Sequence, residues 1–77
     1  EHRLYLDPKS KLQEMSQEKL GVTPAYRVVS ESGPDHAKQF TIAVTFNGES
    51  IAEGVGDSKQ AAQVAAAEAA LKTKGLE

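Results

Sequence analysis

The sequence contains no cysteine, and only two tyrosines and two phenylalanines supply aromatic rings. Without cysteine no disulfide can staple the fold, so 77 residues must hold one small core by packing alone. No apolar run is long enough to cross a bilayer, and no signal-peptide pattern is present. These absences are typical of a single globular domain from a reducing compartment, and we expect a cytoplasmic location.

An excess of basic residues is also missing, because nine Lys and Arg stand against eleven Asp and Glu, for a net charge of −2. Nucleic-acid binders gain much of their affinity by neutralising phosphates, so the total charge alone argues against such a partner. Screening limits each charge to roughly 8 Å at physiological salt, which still allows a local cationic spot to bind phosphate. The few aromatics argue against single-strand binding, since Tyr26, Phe40 and Phe46 suit a small core better than a stacking platform.

Helix signals stand at both ends of the chain. Asp7 can cap a helix and Pro8 suits its first position, and apolar residues at helical spacing predict a helix over residues 9–20 that stops at Gly21. Asp57 or Ser58 is expected to cap a second, alanine-rich helix that runs to about residue 72.

Strand signals fill the middle of the chain, over residues 25–31, 40–47 and 49–55. The second of these alternates most clearly, and Asn47-Gly48 after it predicts a tight hairpin turn. Gly54-Val55-Gly56 is expected to break the third strand. The order predicts an α+β fold, α-β-β-β-α, in which a three-stranded antiparallel sheet carries both helices on one face.

No group of residues predicts catalysis or a metal site. His2 and His36 are the only histidines, and neither has a second ligand at metal-site spacing. Gly54-Val55-Gly56 precedes a helix but lacks a third glycine and the lysine–serine pair of a phosphate loop. A plain turn is the better interpretation of that segment than a nucleotide site.

Three polar spots remain as candidate binding residues: Gln13, Glu14 and Gln17 on the outer face of the first helix; His36 in a loop stiffened by Pro34; Ser58 and Lys59 at the start of the second helix. A helix N-terminus with a hydroxyl and an ammonium favours phosphate. Each spot also has an ordinary interpretation, as a solvated helix face, a surface histidine, and a plain helix cap with a solvated lysine.

Three stretches then resemble the signatures of one family, the double-stranded-RNA-binding domain of bacterial ribonuclease III. They are Asp7-Pro8-Lys9-Ser10-Lys11-Leu12-Gln13-Glu14; Gly33-Pro34-Asp35-His36 followed by Phe40; and Gly54-Val55-Gly56-Asp57-Ser58-Lys59 with Ala62 and Ala65-Ala66-Ala67-Glu68. They occur in the family's order from about residue 7 to residue 72. The resemblance implies the same α-β-β-β-α fold.

The resemblance also implies one purpose for the three polar spots. Such a domain reads A-form RNA by shape over roughly 16 base pairs, contacting a minor groove, the major-groove phosphates and the next minor groove. The implied contacts are Gln13, Glu14 and Gln17 in one minor groove; His36 and the backbone around Pro34 in the next; and Ser58 and Lys59 on the phosphates between them. Amide side chains suit 2′-hydroxyls because they both donate and accept hydrogen bonds.

The sequence departs from the family after Lys59, where a second basic residue is usual and Gln60 stands instead. Gln60 and Gln63 can still donate hydrogen bonds to phosphate, but they release no counterion. We therefore expect weaker binding and a shallower salt dependence than is usual for the family. Lys38, in the loop, is expected to compensate in part.

The resemblance finally implies a larger parent protein. Residues 1–6 are expected to be a linker from an upstream nuclease domain, residues 7–73 the RNA-binding domain, and residues 74–77 a tail that a cloning vector could contribute. The chain itself is expected to have no catalytic residue and no cofactor, with Mg²⁺ in the nuclease domain, and to be monomeric although the parent dimerises. The alternative is a domain of this fold that serves protein–protein interaction or scaffolding and binds RNA weakly. The acidic balance and Gln60 favour it, whereas Gln13, Glu14 and His36 disfavour it.

Overall fold

A computed structural model describes residues 7–76, in which two helices flank three strands. The elements are α1 (Pro8–Leu20), β1 (Pro24–Ser32), a single-turn 3-10 helix (Asp35–Ala37), β2 (Gln39–Phe46), β3 (Glu49–Gly56) and α2 (Lys59–Thr73). The strands form one antiparallel sheet with β2 in the centre, so the predicted α-β-β-β-α order is confirmed. The linker predicted at residues 1–6 lies outside the described residues.

Local sequence signals account for the ends of both helices. A carboxylate oxygen of Asp7 accepts a hydrogen bond from the Ser10 backbone N–H at 2.8 Å, and Gly21 ends α1 in the left-handed conformation. Ser58 caps α2 in the same way, because its hydroxyl accepts from the Ala61 N–H at 3.0 Å. The cap at Asp7 was predicted, and of the two candidates for the second helix, Asp57 and Ser58, the structure selects Ser58.

The core lies between one face of the sheet and the two helices. The alternating residues of β2 supply its centre, with Ile42, Val44 and Phe46 buried. Leu12 of α1 and the buried alanines of α2 complete the cluster. The period-two pattern of β2 therefore identified the buried face correctly, and both helices cover that face as predicted.

The tight turn between β2 and β3 is confirmed, because Asn47 and Gly48 both have positive φ, at 54° and 85°. These are the conformations that a type I′ hairpin turn requires. The predicted break at Gly54-Val55-Gly56 is wrong, since β3 runs through Gly56. A Cβ on Gly56 would lie 2.5 Å from the Ala62 backbone nitrogen, so the glycine serves close packing of α2 on an unbroken strand.

The chain after α2 folds back onto the core, and Leu76, within the tail predicted at residues 74–77, packs against the domain. Leu76 is only 3% exposed, and its backbone N–H donates to the Leu71 carbonyl at 2.8 Å. Gly75 makes this return possible with φ of +63°. A glycine followed by an apolar residue is the usual signature of a helix C-cap, and this signal was available in the sequence.

Candidate nucleic-acid interface

The predicted contacts on α1 are exposed on the side of the helix away from the core. Gln13, Glu14 and Gln17 are all exposed, whereas Leu12 and Ser16 between them are fully buried. The Ser16 hydroxyl donates to the Gln13 carbonyl at 3.2 Å, which satisfies this buried polar group within its own helix. The face is therefore presented by a helix whose orientation is fixed by few buried residues.

Gln17 has a partner of its own at the end of this face. Its side-chain nitrogen donates to the Thr23 hydroxyl at 3.2 Å, across the turn that leads from α1 to β1. This bond holds the amide in place while its oxygen is left to accept. A donor from a 2′-hydroxyl suits that acceptor.

The loop that carries His36 is held by its own backbone. The Ala37 N–H donates to the Pro34 carbonyl at 2.9 Å, which closes the single 3-10 turn. Gly33 has φ of +93°, and a Cβ there would lie 2.5 Å from the Ala37 carbonyl oxygen. Pro34 and His36 are both exposed on this closed turn, so the histidine side chain projects from a defined position.

Lys38 follows the same turn but is engaged by acidic residues. Its ammonium lies 3.6 Å from a carboxylate oxygen of Glu31 and 3.9 Å from one of Asp35. Both distances are long, Lys38 and Glu31 are partly exposed and Asp35 is fully exposed, so each pair is weak. The two carboxylates nevertheless compete with phosphate for Lys38, which limits the compensation expected from this residue.

The start of α2 presents Ser58, Lys59 and Gln60 to solvent. The first N–H groups of a helix lack partners within it, and Ser58 satisfies only that of Ala61. The Lys59 ammonium lies 6.0 Å from the centre of the Phe40 ring, near the start of the central strand β2. Unpaired N–H groups, the positive helix end and this ammonium together favour a phosphate.

Gln63 differs from the other predicted contacts because it is half-buried and already paired. Its side-chain oxygen accepts a hydrogen bond from the Lys9 ammonium at 2.7 Å. Lys9 also stands 5.4 Å from the centre of the Tyr26 ring. Lys9 was not among the predicted site residues, and no spacing rule could find a pair that is 54 residues apart in sequence.

Contacts and helical spacing link residues of the three predicted spots in series, and we call the linked residues the polar band. Lys9 lies one helical turn before Gln13, and Lys59 lies one turn before Gln63, so residues on each helix are neighbours. The members in order are Gln17, Gln13, Lys9, Gln63, Lys59, Phe40 and His36. Phe40 and His36 close the series because both line a depression of about 780 Å³.

The electrostatics of the polar band are mixed. Asp35 and Asp57 line the same depression as His36 and Lys38, which places carboxylates beside the expected phosphate positions. Burial, and secondarily the negative charge of Asp7, raises the pKa of Tyr26 to about 12. Within residues 7–76, no three His, Cys, Asp or Glu side chains come together as ligands for a metal ion. Neither α1 nor α2 is long and apolar enough to cross a membrane.

An α-β-β-β-α domain that shows amides on α1, a rigid loop histidine and a lysine at the start of α2 is a double-stranded-RNA-binding domain. The chain matches the family described as double-stranded RNA binding motif over residues 8–74, and it belongs to that family.

Relatives of known sequence include ribonuclease 3 proteins. The chain is 48% identical over 69 residues to ribonuclease 3 of Nitratiruptor sp., covering 90% of this chain and 30% of that protein. It is 47% identical over 72 residues to ribonuclease 3 of Campylobacter jejuni, covering 94% of this chain and 32% of that protein. The chain thus spans about a third of the length of the relatives it matches.

Two solved structures share this fold, and one of them is described as a dsRBD. The first dsRBD of protein HYL1 superposes with a TM-score of 0.69 at 34% identity, covering 87% of this chain and 94% of that one. Dicer from Pichia stipitis gives a TM-score of 0.67 at 26% identity, covering 84% of this chain and 31% of that one.

Proposed function

We propose that this domain reads A-form RNA through the polar band, by contacts to 2′-hydroxyls and phosphates rather than to base edges. The observation that carries the proposal is the connection of the helix-one face to the start of α2 by the bond between Lys9 and Gln63. The contact of Lys59 with Phe40 then continues the surface to the loop. Double-stranded RNA is read by shape in this way because its deep major groove excludes side chains.

Each part of the polar band, together with the exposed residues beside it, suits one part of the duplex. The amides of Gln13 and Gln17, with Glu14 beside them, suit 2′-hydroxyls of one minor groove. His36 and the backbone at Pro34 suit the next minor groove.

Ser58, Lys59 and Gln60, at the positive end of α2, bind the phosphates between the two minor grooves. Lys38 can join them only by leaving Glu31 and Asp35.

The names of the relatives support a larger role for the parent protein. We propose that the domain is the C-terminal RNA-holding module of a ribonuclease-III-type endoribonuclease that processes duplex precursors in the cytoplasm. Hydrolysis and its Mg²⁺ would then belong to a nuclease domain outside this sequence, and dimerisation to that domain as well. The isolated domain is a monomer in this proposal, which sedimentation of the 77-residue chain tests directly.

The test of RNA recognition is a gel-shift titration at low salt. Duplexes of about 20 base pairs exceed the roughly 16 that such a domain spans, and the RNA and DNA versions carry one sequence. We expect binding to RNA and much weaker binding to DNA, which lacks the 2′-hydroxyl and the A-form groove. Equal binding to both duplexes would indicate unspecific attraction to phosphate, and binding to neither would favour the scaffold role.

A further inference from the structure

Lys9 of α1 contacts both the second helix and the sheet. It belongs to the first turn of α1, its ammonium donates to Gln63 of α2 at 2.7 Å, and it stands over the ring of Tyr26 in β1 at 5.4 Å. The side chain is half-buried at this junction. Its position therefore links α1, α2 and the sheet at one point.

The rest of the contact between the helices does little to fix their mutual position. Only Leu12 and Ser16 of α1 are fully buried. The buried residues of α2 are mostly alanine, whose side chain ends at Cβ and offers few ridges for interlocking. Because this contact between the helices is smooth, packing alone allows α1 to slide or rotate against α2. A directional hydrogen bond at its end restricts both movements more than the packing does.

The position of α1 matters because the two helices address different parts of the duplex. Gln13 stands one turn beyond Lys9, and Lys59 stands one turn before Gln63, so the Lys9–Gln63 bond spans the two contact groups. The distance from a minor groove to the neighbouring phosphates is fixed by the duplex. An error in the position of α1 would let the domain engage one groove but not both.

We propose that Lys9 is a positioning residue that sets α1 against α2 for the groove spacing of A-form RNA, and that its ammonium is not a phosphate contact. The inference rests on the proposed RNA recognition and names a residue that the sequence did not place in the site. It also assigns Gln63 a new role, as the acceptor that holds Lys9 rather than a direct RNA ligand. Tyr26 supports the same ammonium through its ring face.

Salt dependence separates a positioning lysine from a lysine that binds phosphate. The affinity for RNA falls as salt rises. Loss of a phosphate contact makes the slope of log affinity against log salt shallower by about one, whereas loss of alignment weakens binding without changing the slope. We therefore expect Lys9→Met to weaken binding to a duplex of about 20 base pairs by about tenfold at an unchanged slope. Gln63→Leu, which keeps every charge, should weaken binding to a similar extent.

Three further variants complete the design. Lys9→Met combined with Gln63→Leu should bind no worse than either single variant, because both changes break one bond. Lys9→Arg keeps a donor and a cation over the ring, and it should restore most of the affinity. Lys11→Met removes the same charge from the same helix, and it should change the affinity little. Thermal unfolding of each variant confirms that the folded domain is compared.

Duplex length gives a readout that a merely structural role would not change. A duplex of about 10 base pairs is too short to reach both minor grooves of a site that spans roughly 16. Lys9→Met should therefore lose affinity for the long duplex and little for the short one.

The proposal would be overturned if Lys9→Met reduced the steepness of the salt dependence by about one unit while Gln63→Leu left the affinity unchanged. It would also be overturned if Lys9→Met lost equal affinity for the long and the short duplex. Failure of the wild-type domain to prefer RNA over DNA would instead overturn the RNA function itself.

Discussion

A Cβ on Gly54 would lie 2.7 Å from the Cα of Ala66, because α2 packs directly on β3 at this glycine. Such an approach leaves no room for a side chain, and the neighbours are backbone atoms that cannot rotate away. We expect Gly54→Ala to lower the free energy of unfolding by about 3 kcal/mol or more, at the upper end of overpacking effects. Urea denaturation followed by circular dichroism measures the change.

Gly21→Ala is the matched control for that substitution. Gly21 has φ of +68°, but no atom lies within 4 Å of the position its Cβ would occupy. The cost there should be only the left-handed backbone, about 1 kcal/mol. Equal losses in the two variants would show that space between α2 and β3 is not what selects glycine at position 54.

The comparison of sequence and structure shows which features local rules can predict. The caps at Asp7 and Ser58 and the turn at Asn47-Gly48 depend on residues within four positions of one another, and all three are confirmed. The alternation along β2 identified the buried face for the same reason. The order of elements followed directly from these local signals.

Two of the three features that were missed depend on residues distant in sequence. Gly54 was interpreted as a strand breaker because its reason for being glycine lies in α2, twelve residues further along. The hydrogen bond between Lys9 and Gln63 joins two helices that are separated in sequence by all three strands. No pattern within either helix predicts it. Leu76 was within reach of a local rule, since Gly75 before it marks a helix end, and it was missed because the tail was set aside.

Lys59 is expected to supply one released counterion when RNA binds. Lys59→Ala should make the slope of log affinity against log salt shallower by about one unit. The loss of affinity should be similar for duplexes of different sequence. Lys72→Ala is the control, because Lys72 is an exposed lysine at the opposite end of α2. The same fall in slope for both variants would show that total charge, rather than a contact at Lys59, determines the salt dependence.

We expect Glu31 to restrain the affinity for RNA by holding Lys38. Its carboxylate oxygen lies 3.6 Å from the Lys38 ammonium, so Glu31→Gln should leave that ammonium only its longer pair with Asp35, at 3.9 Å, and make it more available to phosphate. Because an exposed ion pair contributes at most about 1 kcal/mol, we expect binding to tighten by about two- to fivefold. The slope of log affinity against log salt should become steeper as well.

Glu53→Gln separates this effect from a simple change in net charge. Glu53 is exposed on β3 and pairs with Ala43 of the central strand, away from Lys38. It should leave the affinity for duplex RNA nearly unchanged. Similar tightening by both variants would mean that the domain responds to its overall charge, and that Lys38 makes no contact of its own.

Leu76 extends the folded domain past the end of α2. Truncation of a buried leucine to alanine removes its packing and leaves a cavity, and we expect Leu76→Ala to cost about 2 to 3 kcal/mol of unfolding free energy. Lys74→Ala, at an exposed neighbour, should change stability little. Urea denaturation of the two variants measures the difference. If Leu76→Ala left the free energy of unfolding unchanged, Leu76 would not contribute to the folded domain.

The hydroxyl of Tyr26 is buried and has no hydrogen-bond partner among the described residues. Burial raises the pKa of Tyr26 from 10.0 to about 12, with a smaller contribution from the negative charge of Asp7. The folded state therefore holds this proton more tightly than the unfolded chain does. The resulting stabilisation is complete below pH 10 and is lost as the pH rises from 10 towards 12.

Tyr26→Phe should remove that alkaline loss of stability. At neutral pH the variant should be as stable as the wild type or more stable by about 1 kcal/mol, because an unpaired buried hydroxyl is costly. Urea midpoints measured between pH 7 and the alkaline range, compared between variant and wild type, cancel the titration of the lysines. A Tyr5→Phe background leaves Tyr26 as the sole tyrosine, so an absorbance titration reports its pKa alone. Parallel loss of stability in the two proteins above pH 10 would show that Tyr26 ionises no differently in the folded domain than in the unfolded chain.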